Sequence, residues 1–271
     1  MAEEISFSRP PKLPGVELLS VKNNRRCWRW FHETYSICTL LRIGGTRWTY
    51  RGRIHEAGQG GLMMLEPGEV HNTLKTWGSP SNDSNDFLVS FIAPSLIRKA
   101  AEEMGLSPEL HMRFPEMSSP KVFQAFVGMH EAMKREATLL EQQSRLASCL
   151  RLLLGPLSEK GFLPEPSPPH PRALQRVRDY IISHFAEKIE LNDLSVVAGI
   201  SRFYLVRAFK NVFGLTPHAF QIQVRVERAR VLILQGNPLP VMEAGFSDQS
   251  HLIRHFKRIL GVTPGHYARS R

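Results

Sequence analysis

One segment of the chain occurs twice. Residues 205–217 return 47 residues later as residues 252–264, and both copies carry the pattern L-x-R-x-F-K-x-x-x-G-x-T-P. In each copy the Leu and the Phe lie four residues apart, and this spacing predicts an amphipathic helix with one buried face. Solenoids usually need three or more repeats, so two copies favour a pair of equivalent helices over a plain helical repeat with a charged surface.

Each repeated helix follows a tight turn. In the first copy, LNDLSVVA predicts a short helix that stops at Gly199, and Ser201 can cap the helix that follows. The outer face of this second helix is basic, with Arg207 and Lys210 opposite the buried residues. A helix, a turn and a basic helix form the helix-turn-helix pattern, whose second helix fits the major groove of DNA.

The basic residues are concentrated in the C-terminal part of the chain. Residues 172–271 contain 15 Lys and Arg against seven Asp and Glu, whereas residues 1–171 contain 20 against 18. The five prolines of GFLPEPSPPHP, residues 161–171, disfavour helix and predict a semi-rigid linker. We therefore expect an N-terminal domain over residues 1–160 and a separate C-terminal domain over residues 172–271 that binds DNA on its own.

Residues 172–271 resemble the AraC/XylS family of bacterial transcription regulators. The resemblance rests on GISRFYLVRAFK, GLTPHAFQIQVRVERARVLILQG, GFSDQSHLIRHFKR and GVTPGHY. It implies seven helices, with two helix-turn-helix motifs joined by a long helix, and recognition helices in successive major grooves about 34 Å apart. It also implies DNA contacts from one helix face in each motif, with the lysines at phosphates: Arg202, Phe203, Val206, Arg207 and Lys210, then Gln249, Ser250, Ile253, Arg254 and Lys257.

The second motif departs from the family pattern. Between QGNPLP and GFSDQSH the family has a full helix, whereas this chain has only VMEA, with Pro240 in front. A helix this short gives less support to the helix behind it. We therefore predict that the second recognition helix is held less firmly than the first.

The N-terminal part has the pattern of a β-domain. Short aromatic or β-branched segments, such as YSICTLLRI, TRWTYRGRI, GGLMMLEP and FLVSFIA, are separated by Gly, Pro, Asn and Ser. They predict a small barrel or sandwich, and helical periodicity follows it up to the linker. The expected fold class is α+β, with a cupin-like β-barrel and its helices followed by an all-α domain.

The segment RGRIHEAGQGGLMMLEPGEVHN resembles the cupin-like sensing domain of many such regulators, which implies a small-molecule site inside the barrel. Alternate strand residues point inward, so aromatic and histidine side chains are candidates to line the pocket, although they can equally fill the barrel. The candidates are Trp28, Trp30, His32, Tyr35, Trp48, Tyr50, His55 and His71.

A metal site is the alternative use of the histidines. Metal-binding cupins carry an H-x-H pair, but here His55 is followed by Glu56 and Ala57. His32, His55 and His71 could still meet on one metal inside a barrel. We favour pocket-lining histidines and predict no metal, no cofactor and no catalytic residue.

These features predict a DNA-binding transcription regulator, an activator, controlled by a small molecule in the barrel. Two alternatives stay open: a cupin-type metalloenzyme fused to a DNA-binding module, and a constitutive regulator whose barrel only dimerises. The expected partners are double-stranded DNA, a small-molecule effector and RNA polymerase. The expected location is the cytoplasm, since three scattered cysteines suit a reducing compartment and no apolar run reaches the roughly 18 residues of a membrane span.

A homodimer is also expected from the resemblance. Leu139, Leu146, Leu150 and Leu153 recur at helical spacing in TLLEQQSRLASCLRLLL. This stripe can form a dimer seam or pack on the barrel of its own chain.

Overall fold

The computed structural model describes residues 2–78, 84–107, 115–159 and 172–270, and these residues form ten strands and nine helices. The predicted linker, residues 161–171, lies outside the described residues. None of the described helices is both long enough and apolar enough to cross a bilayer.

The N-terminal part is built from two antiparallel sheets. The strands are β1 (Glu4–Ser8), β2 (Val16–Asn24), β3 (Arg29–Phe31), β4 (Tyr35–Leu40), β5 (Gly45–Tyr50), β6 (Arg53–Gly58), β7 (Gly61–Leu65), β8 (Val70–Trp77), β9 (Asn85–Ile92) and β10 (Glu116–Ser118). One sheet has the order β1-β2-β9-β4-β7-β10 and the other has the order β3-β8-β5-β6. Aromatic side chains of both sheets, such as Trp48 and Phe91, meet in one hydrophobic cluster. The predicted N-terminal β-domain is confirmed.

One predicted strand is a hairpin. TRWTYRGRI turns back at Arg51 and Gly52, whose φ angles are 49° and 73°, so that Trp48 pairs with His55 across β5 and β6. Positive φ at both central residues matches the twist of a two-residue hairpin, and the glycine adopts it without steric cost.

Three helices cover the outer face of the larger sheet: α1 (Pro94–Glu103), α2 (Pro120–Lys134) and α3 (Leu139–Glu159). Their apolar faces form a second cluster with strand residues such as Ile37. Leu146, Leu150 and Leu153 of α3 are at most 8% exposed and belong to this cluster, and Leu139 packs against it. The leucine stripe therefore packs on its own chain, and it offers no open dimer seam.

The C-terminal part is helical. Its helices are α4 (Arg172–Ser183), α5 (Leu191–Ala198), α6 (Arg202–Phe213), α7 (Pro217–Leu234), α8 (Gln249–Leu260) and α9 (Pro264–Arg269). The hydroxyl of Ser201 and the carboxylate of Asp248 accept hydrogen bonds from backbone N–H groups in the first turns of α6 and α8. Both recognition helices end at a left-handed glycine, Gly214 and Gly261. The first helix-turn-helix motif is thus formed as predicted, with α5 and α6 as its two helices, and α8 is the second helix of the second motif.

The described helices from residue 172 number six rather than the implied seven, because VMEA forms a turn instead of a helix. The N–H groups of Ala244 and Phe246 donate to the carbonyl groups of Pro240 and Val241 in this turn. Ala244 and Phe246 are buried. A single turn with two buried side chains therefore stands where the family has a full helix.

Helix α7 lies between two cores. Phe220 and Val224 pack in a cluster with α4, α5 and α6. Val226, Ala229 and Ile233 pack instead in the cluster that includes α8, α9 and the aromatic residues of both sheets. The β-domain and the second motif therefore share one hydrophobic core.

Candidate DNA-binding surface and ligand pocket

The predicted DNA-contacting residues of the first motif share one face of α6. Arg202, Arg207 and Lys210 are exposed, Val206 is half-buried, and Phe203 is 88% exposed. An exposed phenylalanine between basic residues gives this face both charge and an apolar surface, which suits phosphates and thymine methyl groups. Tyr204, which lies beside Phe203 and is 59% exposed, was not predicted from the sequence.

The second motif presents a comparable face. Gln249, Ser250, Arg254 and Lys257 are exposed on α8, and Ile253 is half-buried. Asp248 is not on this face as a base contact, because its carboxylate caps the helix at 2.8 Å from the backbone nitrogen of His251. Both faces are open to solvent, and their individual contacts with DNA stay a prediction.

A cavity lies between the two sheets of the β-domain. It has about 640 Å³ of unfilled space, part of it open to solvent, and its lining comes from both sheets. The rings that line it are Trp28, Trp30, Trp48, His71 and Phe87. Apolar cavities that are walled by aromatic rings and carry a few polar groups are typical small-molecule sites.

The predicted pocket residues divide into two groups. Trp30, Trp48 and His71 line the cavity, as does Trp28. The remaining four lie behind or beside it, and the role of all of them in ligand binding stays a prediction. The ring of His32 is buried against Trp30 at 4.5 Å between ring centroids.

The other three predicted residues have structural contacts. Tyr35 packs in the cluster between the larger sheet and the helices. The hydroxyl of Tyr50 accepts a hydrogen bond from the backbone N–H of Glu66 at 3.2 Å. His55 Nδ1 lies 2.9 Å from Glu116 Oε2 in β10.

Part of the lining was not predicted from the sequence. Asn24, Phe87 and Val89 line the cavity from β2 and β9. FLVSFIA was predicted as a strand, and its alternating side chains were a signal for Phe87 and Val89. Asn24 had no such signal, since β2 precedes the predicted strands.

The histidines do not gather on a metal in this arrangement. The rings of His32 and His71 are 5.3 Å apart, whereas His55 contacts Glu116. Among the described residues, no group of three or more His, Cys, Asp or Glu side chains is placed to hold a metal ion. Burial lowers the pKa of His71 to about 4, so its ring is neutral at pH 7.

A buried polar cluster joins the β-domain to the second motif. Glu17 of β2 accepts a hydrogen bond from the hydroxyl of Tyr267 at 2.6 Å and one from Arg9 Nε at 2.8 Å. Arg230 of α7 lies 3.1 Å from Glu17 and 3.0 Å from Glu227. Because Glu227 is buried, its pKa is raised to about 7, against the effect of Arg230. Arg9 also donates to the backbone carbonyls of Tyr267 and Ser270 in and after α9.

Trp28 connects the cavity to α8. Its ring stacks on Trp30 in the cavity wall, with 5.2 Å between centroids. On its other side it approaches Gly261, where a β-carbon would lie 3.4 Å from Trp28 Cη2, 3.1 Å from Arg26 Nη1 and in overlap with Ile5. The tightest of these approaches is to the terminal methyl group of Ile5, whereas the distance to Trp28 is that of an ordinary van der Waals contact.

Two family matches cover most of the chain. The AraC-like ligand binding domain matches residues 13–157 and a helix-turn-helix domain matches residues 194–270. The HTH-type transcriptional regulator YbfI of Bacillus subtilis is 29% identical over 232 residues, which are 82% of this chain and 80% of that protein. The HTH-type transcriptional regulator ExsA of Pseudomonas aeruginosa is 31% identical over 96 residues, 34% of each chain.

Solved structures resemble the chain over almost its whole length. An apo variant of ToxT from Vibrio cholerae has a TM-score of 0.58 and 11% identity, and covers 95% of this chain and 98% of its own. ToxT with a bound unsaturated fatty acid has a TM-score of 0.56 and 11% identity, and covers 100% and 97%. At this level of identity the likeness concerns the fold alone.

Proposed function

The chain belongs to the AraC-like family of transcription regulators, and we propose that a small molecule in the cavity controls how the second helix-turn-helix motif engages DNA. The family gives the chain a ligand-binding domain and a DNA-binding domain. The proposal concerns the connection between them.

The observation that carries the proposal is the position of Trp28. Its ring forms part of the cavity wall and also lies beside Gly261, the residue at which α8 ends. A ligand that displaces this ring changes the packing at the end of the recognition helix. The cavity-lining rings and the apolar face of α8 also belong to one core, and a close-packed core transmits such a displacement rather than absorbing it.

The buried polar cluster adds a second set of contacts between the β-domain and the second motif. Arg230 and Glu17 are at most 7% exposed, and Tyr267 is fully buried. A ligand shifts an equilibrium only by its differential affinity for two states. In this proposal, the contacts of Glu17, Arg9 and Trp28 with the ends of α8 and α9 are formed in one state and broken in the other.

The remaining partners are also proposals. Double-stranded DNA and a small molecule follow from the two family domains, and fatty-acid-bound ToxT supports an apolar ligand by fold likeness only. We further propose contact with RNA polymerase, activation rather than repression, action in the cytoplasm and a homodimer. The dimer interface must lie away from the buried leucine stripe of α3, and sedimentation of the purified chain tests the dimer.

The enzyme alternative has no support from the relatives, which are transcription regulators. We propose that the chain is not an enzyme and holds no metal. Elemental analysis tests this: one zinc, iron or manganese ion per chain that is lost in His71→Ala would contradict it.

The test of the central proposal uses DNA selected from a random duplex library with the full chain. The affinity of the native site is compared with that of sites altered in either half, for the native protein, for Trp28→Leu and for the control Trp77→Leu, whose ring lies outside the cavity lining. We expect Trp28→Leu to alter discrimination in one half of the site and Trp77→Leu to alter neither. Equal changes in both halves, or no selected sequence at all, would contradict the proposal.

A further inference from the structure

The lining of the cavity carries information about the ligand. Among the described residues, it contains three tryptophans and apolar side chains but no Asp, Glu, Lys or Arg. Its two titratable groups, His71 and Cys38, are neutral near pH 7, because burial lowers the pKa of His71 to about 4 and raises that of Cys38 to about 12. A charged ligand would therefore meet no opposite charge on the wall.

Three arginines that follow cavity-lining strands are engaged in ion pairs. Arg51 is 2.8 Å from Glu66, Arg42 is 2.7 Å from Asp86, and Arg26 pairs with Glu3. Moving a carboxylate out of water without a partner costs several kcal/mol. Each of these three arginines could pair with an anion in the cavity only after its present ion pair is broken.

Two polar atoms of the lining are available. Trp48 Nε1 and His71 Nδ1 are buried and, among the described residues, have no hydrogen-bond partner. The other polar groups are partly used: Asn24 accepts from Trp28 Nε1 at 2.8 Å, and Thr46 and Thr76 donate to backbone carbonyls. An indole N–H can only donate, so it requires an acceptor on the ligand.

We propose that the ligand is an uncharged molecule with a flat apolar body and a hydrogen-bond acceptor, such as a carbonyl or an ester, that meets Trp48 Nε1. The flat body lies against the rings of Trp28, Trp30 and Phe87. This inference rests on the proposed function, since it names the class of effector that the cavity takes.

A matched set of probes tests the charge. Full-length protein is titrated with methyl 2-naphthoate, 2-naphthoate, 2-naphthylmethylammonium and methyl glucoside, and tryptophan fluorescence and the melting temperature are followed. We expect the ester to bind at least about 100-fold more tightly at pH 7.5 than either ion. The acid enters only in its neutral form, so its affinity rises about tenfold per unit as the pH falls from 7.5 to 5.5, whereas the ester's affinity stays constant.

A pair of variants tests the hydrogen bond. Trp48→Phe keeps an aromatic ring but removes the donor, and we expect the ester to bind about 5- to 10-fold more weakly, with 2-ethylnaphthalene, which has no acceptor, unchanged. Trp77→Phe makes the same substitution outside the cavity lining and should change neither affinity. Equal losses for both probes in Trp48→Phe would contradict a hydrogen bond.

The outcomes separate the ligand class from the proposed function. Binding of the carboxylate or of the glucoside as tightly as the ester, or no binding of the ester at all, would overturn the ligand class and leave control by another ligand intact. If the ester binds as expected but DNA affinity does not change, the ligand class stands and the coupling to the second motif fails.

Discussion

The two helix-turn-helix motifs carry nearly the same sequence but rest on different supports. The first packs α6 on α4, α5 and α7, and among the described residues the β-domain contributes only Phe31 and the partly buried Val70 to this hydrophobic cluster. The second packs α8 and α9 into a core shared with both sheets. The repeat therefore fixes the shape of each recognition helix, whereas the surroundings decide how much the β-domain can influence it.

The difference explains how the second motif tolerates its missing helix. The single turn that contains Ala244 and Phe246 covers less of α8 than a full helix would. The contacts at Gly261 and Tyr267 come instead from β1, β2 and the segments that flank them. The second motif is therefore supported by the β-domain where the first is supported by its own helices. A ligand in the β-domain can for this reason influence the second motif more than the first.

The largest effect on stability is expected at the buried polar cluster. Arg230→Met removes the ion partner of Glu227 and leaves Glu17 with Arg9 alone in the shared core, and we expect a loss of about 3–5 kcal/mol in the free energy of unfolding. Urea titration measures it. The control is Arg178→Met, which removes a partly exposed pair with Asp179 in α4 and should cost at most about 1 kcal/mol. Equal losses in the two variants would contradict a special contribution of the buried cluster to stability.

The two terminal glycines give a matched pair of substitutions. Gly214 and Gly261 have φ angles of 72° and 78°, so alanine brings a similar strain of about 1–2 kcal/mol to both. A β-carbon at Gly214 meets only Val70, at 3.9 Å, but at Gly261 it overlaps Ile5. We expect Gly261→Ala to cost about 1–3 kcal/mol more than Gly214→Ala. If thermal unfolding shows the same loss of stability for both variants, the close packing of Ile5 in β1 against the end of α8 is disproved.

The sequence alone predicted that the second recognition helix is held less firmly than the first, which on its own would make Arg207→Ala more damaging to DNA discrimination than Arg254→Ala. Since the β-domain supports α8, we now expect each change to cost about 1–3 kcal/mol in its own half of the site in the full chain. In the Arg230→Met background the loss from Arg254→Ala should shrink while that from Arg207→Ala persists. Double-mutant cycles on the selected DNA measure this coupling. If the binding free-energy losses of Arg230→Met add to those of both Arg254→Ala and Arg207→Ala, the coupling is disproved.

Local features of the fold were predictable from the sequence. The helical spacing of Leu205 and Phe209, the caps at Ser201 and Asp248 and the terminal glycines are all present, because each depends on residues within a few positions. The hairpin at Arg51 and the strands before residue 25 were missed, since short apolar runs define strands poorly.

The shared core could not be obtained in this way, because periodicity does not show which two faces meet. One signal was present. Helix α7 is buried nearly all round from Phe220 to Arg230, including charged Glu227, and a helix with apolar residues on every side indicates burial between two partners. For the pocket, the sequence named Trp30, Trp48 and His71 but not the side chains of β2 and β9 opposite them.

Hydrogen exchange on α6 and α8 tests the central claim most directly. Backbone amides are compared between the full chain and a fragment of residues 172–271, which lacks the β-domain. We predict that α6 keeps most of its protection in the fragment, whereas α8 exchanges at least about tenfold faster because it has lost its shared core. Unchanged protection of α8, or equal loss in α6 and α8, would contradict the claim that the β-domain supports the second motif and not the first.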